Sequence, residues 1–203
     1  MRLFAASVLV GMAIAACAGD ADAAVICGPT KHVRTVRSTN AVRVFQRHGG
    51  SVLACAPGVE KPLSVGFNLR DEDEGWFRVE HIRIAGPYLA AVNACEIGCR
   101  MELDENDPVV QVWDVARHRR TYSRALANSA IRVADLEVAA DGSVAYVLQS
   151  TTIAGRCQLY RGDELIDSGA IEPRSLTIGG DERLYWRRDG ALQSAPLHAV
   201  ESG

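Results

Sequence analysis

The sequence lacks the charge that would mark a nucleic-acid binder or a protein of acidic membrane surfaces. Its 203 residues carry a formal net charge of −3, from 22 basic and 25 acidic side chains. A chain this close to neutral has no global positive field, so no nucleic-acid partner is expected. Twenty of the basic residues are arginine and two are lysine, a bias that we attribute to a GC-rich bacterial genome.

Motifs for catalysis and metal binding are also missing. The five histidines are scattered singly, and no two have the four-residue spacing of a helical zinc site. The sequence contains no G-x-S-x-G elbow, no phosphate-binding glycine loop and no CxxC pair. No cofactor or metal is therefore expected. An enzymatic function stays open only if catalytic side chains that are distant in the sequence come together in the folded protein.

The first 23 residues predict a secretory signal peptide. Arg2 precedes an uncharged apolar stretch over residues 3–18, and residues 21–23, Ala-Asp-Ala, have the spacing that a signal peptidase recognises. This stretch is shorter than the about 20 apolar residues that a membrane span needs. Cleavage after residue 23 leaves a single domain, 24–203, whose formal charge changes from −3 to −2 because the leader removes one arginine and two aspartates.

Residues 14–17, Ile-Ala-Ala-Cys, offer an alternative interpretation of the leader. They resemble a lipobox, in which Cys17 becomes the lipidated first residue of a membrane-anchored lipoprotein. Both routes export the chain, so the expected location is outside the cytoplasm, either secreted or in the cell envelope. Contact with a membrane is expected only if Cys17 is lipidated.

A repeated hairpin dominates the mature sequence. In residues 134–149 apolar side chains alternate with smaller or polar ones on both sides of an Asp-Gly pair, which is typical of two strands joined by a tight turn. Similar patterns occur at 81–92 and 175–186. The last two copies are 40 residues apart and the first two 54, because the long loop 93–108 intervenes. A period near 40 residues is typical of propeller blades.

These patterns predict an all-β fold of antiparallel units arranged as a small or partial β-propeller, with helix nearly absent. Blades stabilise one another by stacking, so four units either close into a ring or stay open and associate as a homodimer. A β-sandwich of the same strands is the alternative fold. The acidic run 70–76 is interpreted as a solvated linker. Four strands are expected in each central unit and three in each outer unit, the units being residues 33–66, 80–126, 131–169 and 173–198.

Two short motifs resemble those of a known family. Residues 139–147, AADGSVAYV, resemble the turn between inner strands in WD40-like (TolB-type) β-propeller repeat proteins, and residues 110–116, VQVWDVA, resemble the third strand of a WD40 blade. Ala140 stands where that turn usually has proline, and four units are the low end for a closed propeller. The resemblance implies a binding or scaffolding platform and transfers no catalytic residue.

The predicted function is an exported, non-enzymatic binding or interaction module whose partner is an unidentified protein or small molecule outside the cytoplasm. The alternative is an exported, hydrolase-like enzyme with its site in the central channel of the propeller. Four carboxylates in the long loop are interpreted as a lip on the binding face, because such close charges repel unless a cation or arginines neutralise them. They are Glu102, Asp104, Glu105 and Asp107.

Five cysteines remain in the mature chain, and an oxidising compartment favours disulfides. In a propeller, the loop that ends at Cys157 and the loop that holds Cys95 and Cys99 lie on one face of adjacent blades. Cys157 is therefore expected to pair with Cys99 or with Cys95. Cys27 is then expected to pair with Cys55 and to tie the N-terminus to the first unit. A local bridge between Cys95 and Cys99 is the alternative.

Overall fold

The computed structural model describes residues 27–28, 31–71, 75–95, 108–126 and 130–198. Within these residues the fold is all-β, with sixteen strands in four antiparallel sheets and no helix. The described part of the chain accordingly holds no helix long and apolar enough to cross a membrane. Each sheet is a meander, in which every strand pairs with the next one along the chain.

The four sheets follow one another in sequence. The first sheet contains β1 (Val33–Ser38), β2 (Arg43–Arg47), β3 (Ser51–Cys55) and β4 (Leu63–Phe67). The second contains β5 (Leu69–Asp71), β6 (Gly75–Ala85), β7 (Tyr88–Cys95), β8 (Val109–Asp114) and β9 (Arg119–Ala125). The third contains β10 (Ile131–Val138), β11 (Val144–Ser150), β12 (Cys157–Arg161) and β13 (Glu164–Gly169). The fourth contains β14 (Thr177–Ile178), β15 (Arg183–Arg188) and β16 (Ala191–Pro196).

The sheets pack face to face in chain order, and the burial of strand β11 demonstrates this packing. Tyr146 and Leu148 pack in an apolar cluster with the second sheet, whereas Ala145 and Val147 pack in a different cluster with the fourth. All four side chains are buried. Because successive side chains of a strand point to opposite faces, β11 is buried on both sides only if its sheet lies between two others. The stacking predicted from the sequence is confirmed.

The array of sheets is open. Three apolar clusters join the first sheet to the second, the second to the third and the third to the fourth. Within the described residues no such cluster joins the fourth sheet to the first. The free face of the fourth sheet carries the polar side chains of Arg183, Tyr185 and Arg187. A polar outer face is what a terminal unit of a repeat array requires. The predicted partial propeller is therefore the observed fold, and a two-sheet sandwich is not formed.

The strand content of the first two sheets differs from the prediction. The first sheet has four strands instead of three, because residues 63–67 pair with β3 as a fourth strand, of which only Val65 is buried. Residues 70–76 are not simply a linker between units. Residues 69–71 pair with residues 75–77 at the start of β6, so the second sheet has five strands and begins at residue 69.

The predicted Asp-Gly turn joins β10 to β11. The Gly142 amide donates to the Ala139 carbonyl at 3.0 Å, and Oδ1 of Asp141 accepts a hydrogen bond from the Ser143 amide at 2.8 Å. Gly142 has a φ of 91°, which favours glycine. A Cβ at this position would also lie 2.7 Å from Cε1 of Tyr88 in the second sheet. Glycine therefore serves both the turn and the approach of the neighbouring sheet.

We expect Gly142→Ala to lower the free energy of unfolding by about 2 kcal/mol, because it combines backbone strain with displacement of the Tyr88 ring. Gly155→Ala is the matched control, since Gly155 has a φ of 72° but no atom within 4 Å of an added Cβ. It is expected to lose only the strain energy, about 1 kcal/mol. Urea denaturation measures both values. Equal losses would show that the contact with Tyr88 contributes nothing.

The disulfide between Cys27 and Cys55 is formed, with the two Cα atoms 6.0 Å apart, as the sequence predicts. It indicates an oxidising environment. Cys157 is a free, buried thiol, so the expected bridge from Cys157 to Cys99 or Cys95 is not formed in the structure.

Strand register explains why Cys157 does not pair with Cys95. The side chain of Cys157 lies on the same side of the third sheet as Val147 and packs with Leu184 and Trp186 of the fourth sheet. Cys95 ends β7 of the second sheet, which lies on the other side of the third sheet. Burial also raises the pKa of the Cys157 thiol, as expected of a side chain in the core. Cys99 lies outside the described residues.

Candidate functional site

Two adjoining cavities lie where the sheets meet. The first, which we call the arginine cavity, has a volume of about 910 Å³ and opens between the second and third sheets beside residues 173–174. The second, which we call the central cavity, has a volume of about 620 Å³ and is lined by residues of all four sheets or of the segments that lead into them. His81, Ala134 and Arg174 line both cavities.

Irregular backbone shapes the wall between the two cavities. The pairing of β6 with β7 shifts register between Glu80 and Arg83, and that of β10 with β11 shifts around Ala134. Such bulges leave a residue out of the ladder and bend the strand. His81 and Arg174 have φ values of 49° and 63°, a left-handed conformation that costs energy in residues other than glycine. Two of the six described non-glycine residues with a positive φ therefore lie where the cavities join.

Three arginines give the wall of the arginine cavity its positive charge. The guanidinium of Arg78 forms an ion pair with Glu80 on the same strand. Arg132 donates from Nε at 3.1 Å and from Nη2 at 2.7 Å to Oε1 of Gln149, which is a neutral partner. Arg174 is exposed and forms no hydrogen bond or ion pair with the described residues. Two of the three positive charges thus have no carboxylate partner in the described part of the structure.

The two carboxylates that line the central cavity are paired with Arg83. Arg83 Nε donates to Oε1 of Glu137 at 3.0 Å, and its Nη2 lies 3.7 Å from Oδ1 of Asp135. The Asp135 side chain is buried, and its Oδ2 accepts a hydrogen bond from the Leu176 amide at 3.0 Å. Arg37 Nη1 donates to the Ile82 carbonyl at 3.0 Å. This network links the first sheet to the second, the second to the third, and the third to the segment that precedes β14.

Burial shifts the pKa values of two titratable groups at this junction, His81 and Glu137. Desolvation lowers the pKa of His81 below its ordinary 6.5, although the neighbouring charge of Glu80 opposes the change. The imidazole is consequently neutral at pH 7. Desolvation also raises the pKa of Glu137, against the effect of its hydrogen bond to Arg83.

The acidic residues interpreted as a binding lip, Glu102, Asp104, Glu105 and Asp107, lie outside the described residues. The described chain leaves the second sheet after β7 and resumes at Pro108. Both Ala94 and Pro108 line the arginine cavity.

Sequence patterns miss the residues that the structure brings together. Arg78, Arg132 and Arg174 belong to three different sheets or to the segment leading into the fourth, and more than 40 residues separate each from the next. No local motif connects them. One weak signal could have indicated a site. The strands β6 and β10 carry polar side chains, although the strands of a blade that is buried on both faces should be apolar.

The described residues contain no group of three or more His, Cys, Asp or Glu side chains placed to hold a metal ion. In the same part of the chain, Nε2 of His81 lies 3.8 Å from Oε2 of Glu80, and Nε2 of His198 lies 3.3 Å from Oδ2 of Asp141. Neither histidine is hydrogen-bonded to a hydroxyl or thiol there. Comparisons with models of protein families and with curated proteins find no significant match to this chain.

Proposed function

We propose that this protein is an exported, non-enzymatic binding module and that its ligand occupies the arginine cavity. The observation that carries the proposal is the pair of arginines, Arg132 and Arg174, which have no carboxylate partner among the described residues and line a cavity of about 910 Å³. Ligand pockets in proteins typically span about 300–1,000 Å³ and combine apolar walls with a few polar groups. The resemblance to WD40-like repeats, which implies a binding platform, agrees with this proposal.

The strained backbone at the junction supports the same site. His81 holds a left-handed conformation inside β6, where the pairing with β7 shifts register, and Arg174 holds one in the turn that the Ser175 amide closes with the Glu172 carbonyl at 3.3 Å. Conformations of this kind cost about 1–3 kcal/mol and persist where the surrounding structure enforces them, often at binding sites. Here they fix the wall on which the ligand would rest.

Native mass spectrometry of the protein, purified from the organism that makes it, tests the proposal. We expect an adduct of a small molecule on the wild type and its loss from the double variant Arg132→Ala/Arg174→Ala. The control is Arg119→Ala/Arg120→Ala, which removes two exposed arginines at the β8–β9 turn, outside both cavities. An adduct that both double variants retain equally would contradict the assignment of the site.

The same spectra test export. We propose that the mature chain begins near Ala24, with a lipidated Cys17 as the alternative start, because residues 1–23 resemble a signal peptide and Cys27 is oxidised. The mass of the native protein distinguishes these two forms. A chain that retains Met1 would contradict both.

The central cavity is the basis of the alternative function, a hydrolase-like enzyme, because it contains two carboxylates, Asp135 and Glu137, beside His81. Both carboxylates are engaged with Arg83, and Asp135 also accepts hydrogen bonds from two backbone amides. These contacts favour a structural role for the pair. An enzyme would also release the recovered ligand chemically changed after incubation, whereas a binding module would return it intact.

A further inference from the structure

We propose that the arginine cavity binds a small organic anion, whose oxyanion group is held by Arg132 and Arg174. A carboxylate, a sulfonate or a phosphate group would satisfy the same chemistry. The inference rests on the proposed function, because it names the class of ligand for the same cavity.

The charge of the cavity wall favours an anion. Among the described residues, three arginines and one glutamate give the lining a formal charge of +2, in a chain whose net charge is −3. Arg78 is neutralised by Glu80. In the described part of the chain, Arg132 donates hydrogen bonds to the amide oxygen of Gln149, and Arg174 has no partner. A bound anion would supply the counter-charge that no described carboxylate gives these two guanidinium groups.

The geometry of Arg132 favours an oxyanion over a simple halide. Two of its N–H groups donate to Oε1 of Gln149, which fixes the plane of the guanidinium, and its other N–H groups have no acceptor among the described residues. A planar fork of N–H donors matches the paired oxygens of a carboxylate, sulfonate or phosphate. Because Gln149 already orders the side chain, little conformational entropy is lost when a ligand binds.

The central cavity provides a contrast. Apart from Arg174, which lines both cavities, its arginines are Arg37 and Arg83, and its carboxylates are those of Asp135 and Glu137. Arg83 contacts both carboxylates. With Arg174 included in both counts, the described wall of the central cavity carries a formal charge of +1, whereas that of the arginine cavity carries +2. An anion is therefore expected in the arginine cavity in preference to the central one.

The remaining wall of the arginine cavity fits an organic body. Val92, Ala94, Ile131 and Pro173 contribute apolar surface beside the arginines. Burying such surface stabilises a ligand that carries an apolar group next to its charge. Inorganic phosphate alone would leave this part of the cavity unfilled.

Two fluorescent probes of similar shape test the inference. One is 8-anilinonaphthalene-1-sulfonate, an anion, and the other is N-phenyl-1-naphthylamine, its neutral counterpart. We expect the mature wild-type protein to bind the anionic probe at least about 10-fold more tightly. Arg132→Ala/Arg174→Ala is expected to lower the affinity for the anionic probe by roughly 10- to 100-fold and to leave that for the neutral probe unchanged, because charge-assisted hydrogen bonds are lost.

Two further variants and one structural readout complete the experiment. Arg119→Ala/Arg120→Ala should bind both probes like the wild type, and Glu80→Gln should bind the anionic probe more tightly because the carboxylate is removed from the wall. Urea midpoints confirm that each variant is folded. The side-chain amide signal of Gln149 should shift when the anionic probe binds, which places the probe at Arg132.

The outcomes separate this inference from the proposed function. Equal affinity of the wild type for both probes would overturn the anion assignment. An affinity for the anionic probe that is unchanged when the two arginines are removed would overturn it as well. Either result would leave the cavity as the proposed site. Failure of the wild type to bind either probe, together with the absence of a native adduct, overturns both. A fall in affinity in Glu80→Gln contradicts the electrostatic reason for the assignment.

Discussion

Asp135→Asn is expected to lower the free energy of unfolding by about 3 kcal/mol, because its carboxylate accepts from two backbone amides at once. Oδ1 accepts from Leu136 and Oδ2 from Leu176, both at 3.0 Å, and the side chain is buried. An asparagine would turn an N–H donor toward one of these amides and would remove the negative charge beside Arg83. Urea denaturation at pH 7 measures the loss.

Asp189→Asn is the matched control for Asp135. Asp189 is exposed, and its side chain forms no hydrogen bond or ion pair with the described residues. Its replacement is expected to change stability by less than about 0.5 kcal/mol. If Asp135→Asn were as mild as the control, Asp135 would not be the link between the third sheet and the segment that leads into the fourth.

Removing the disulfide is expected to lower the free energy of unfolding by about 3–4 kcal/mol, the value that loop-closure entropy gives for a separation of 28 residues. The variant is Cys27→Ala/Cys55→Ala. The loss has a structural component as well, since Cys27 packs against the buried side chains of Phe45 and Leu53 on the free face of the first sheet. Urea denaturation again provides the measurement.

A reducing agent supplies the control for the disulfide. The reductant should lower the midpoint of the wild type more than that of Cys27→Ala/Cys55→Ala, because the variant already lacks this bond and both proteins keep the other cysteines. Cys157 does not interfere, because its thiol is already free. A wild type whose midpoint is insensitive to reduction, with the reduced mass verified, would show that the bond does not stabilise the first sheet.

Local features of the sequence predict the strands and their grouping. The alternation in β10 and β11 and the Asp-Gly pair between them need only neighbouring residues, and the structure closes this hairpin as expected. The spacing of the hairpins identifies four units in the right order. The boundary of the second sheet is missed because β5 pairs with the start of β6 inside an acidic run that has no apolar alternation.

The cavities depend on backbone irregularities that carry no residue signature. Left-handed positions usually call for glycine or asparagine, but the junction of the cavities uses His81 and Arg174. The bulges in β6 and β10 decide which side chains face the cavities, and a change of one residue in register reverses the face. The same dependence on register explains why Cys157 points to the fourth sheet.

The net charge of the whole chain gives no indication of the candidate site. The chain is nearly neutral overall, so composition argues against a partner of either sign. The structure gathers Arg78, Arg132 and Arg174 from distant parts of the sequence and places one carboxylate among them. The local field of this cavity follows from tertiary packing and could not be derived from composition.

Diffraction at the bromine absorption edge, from crystals grown with 4-bromobenzoate, tests the central claim most directly. The anomalous signal locates the bromine atom, and the density locates the carboxylate. The account predicts the carboxylate within hydrogen-bonding distance of Arg132 and Arg174 and the bromine near the apolar wall formed by Val92 and Ile131. An empty arginine cavity, with the ligand found only at exposed arginines such as Arg119 or Arg187, would contradict it.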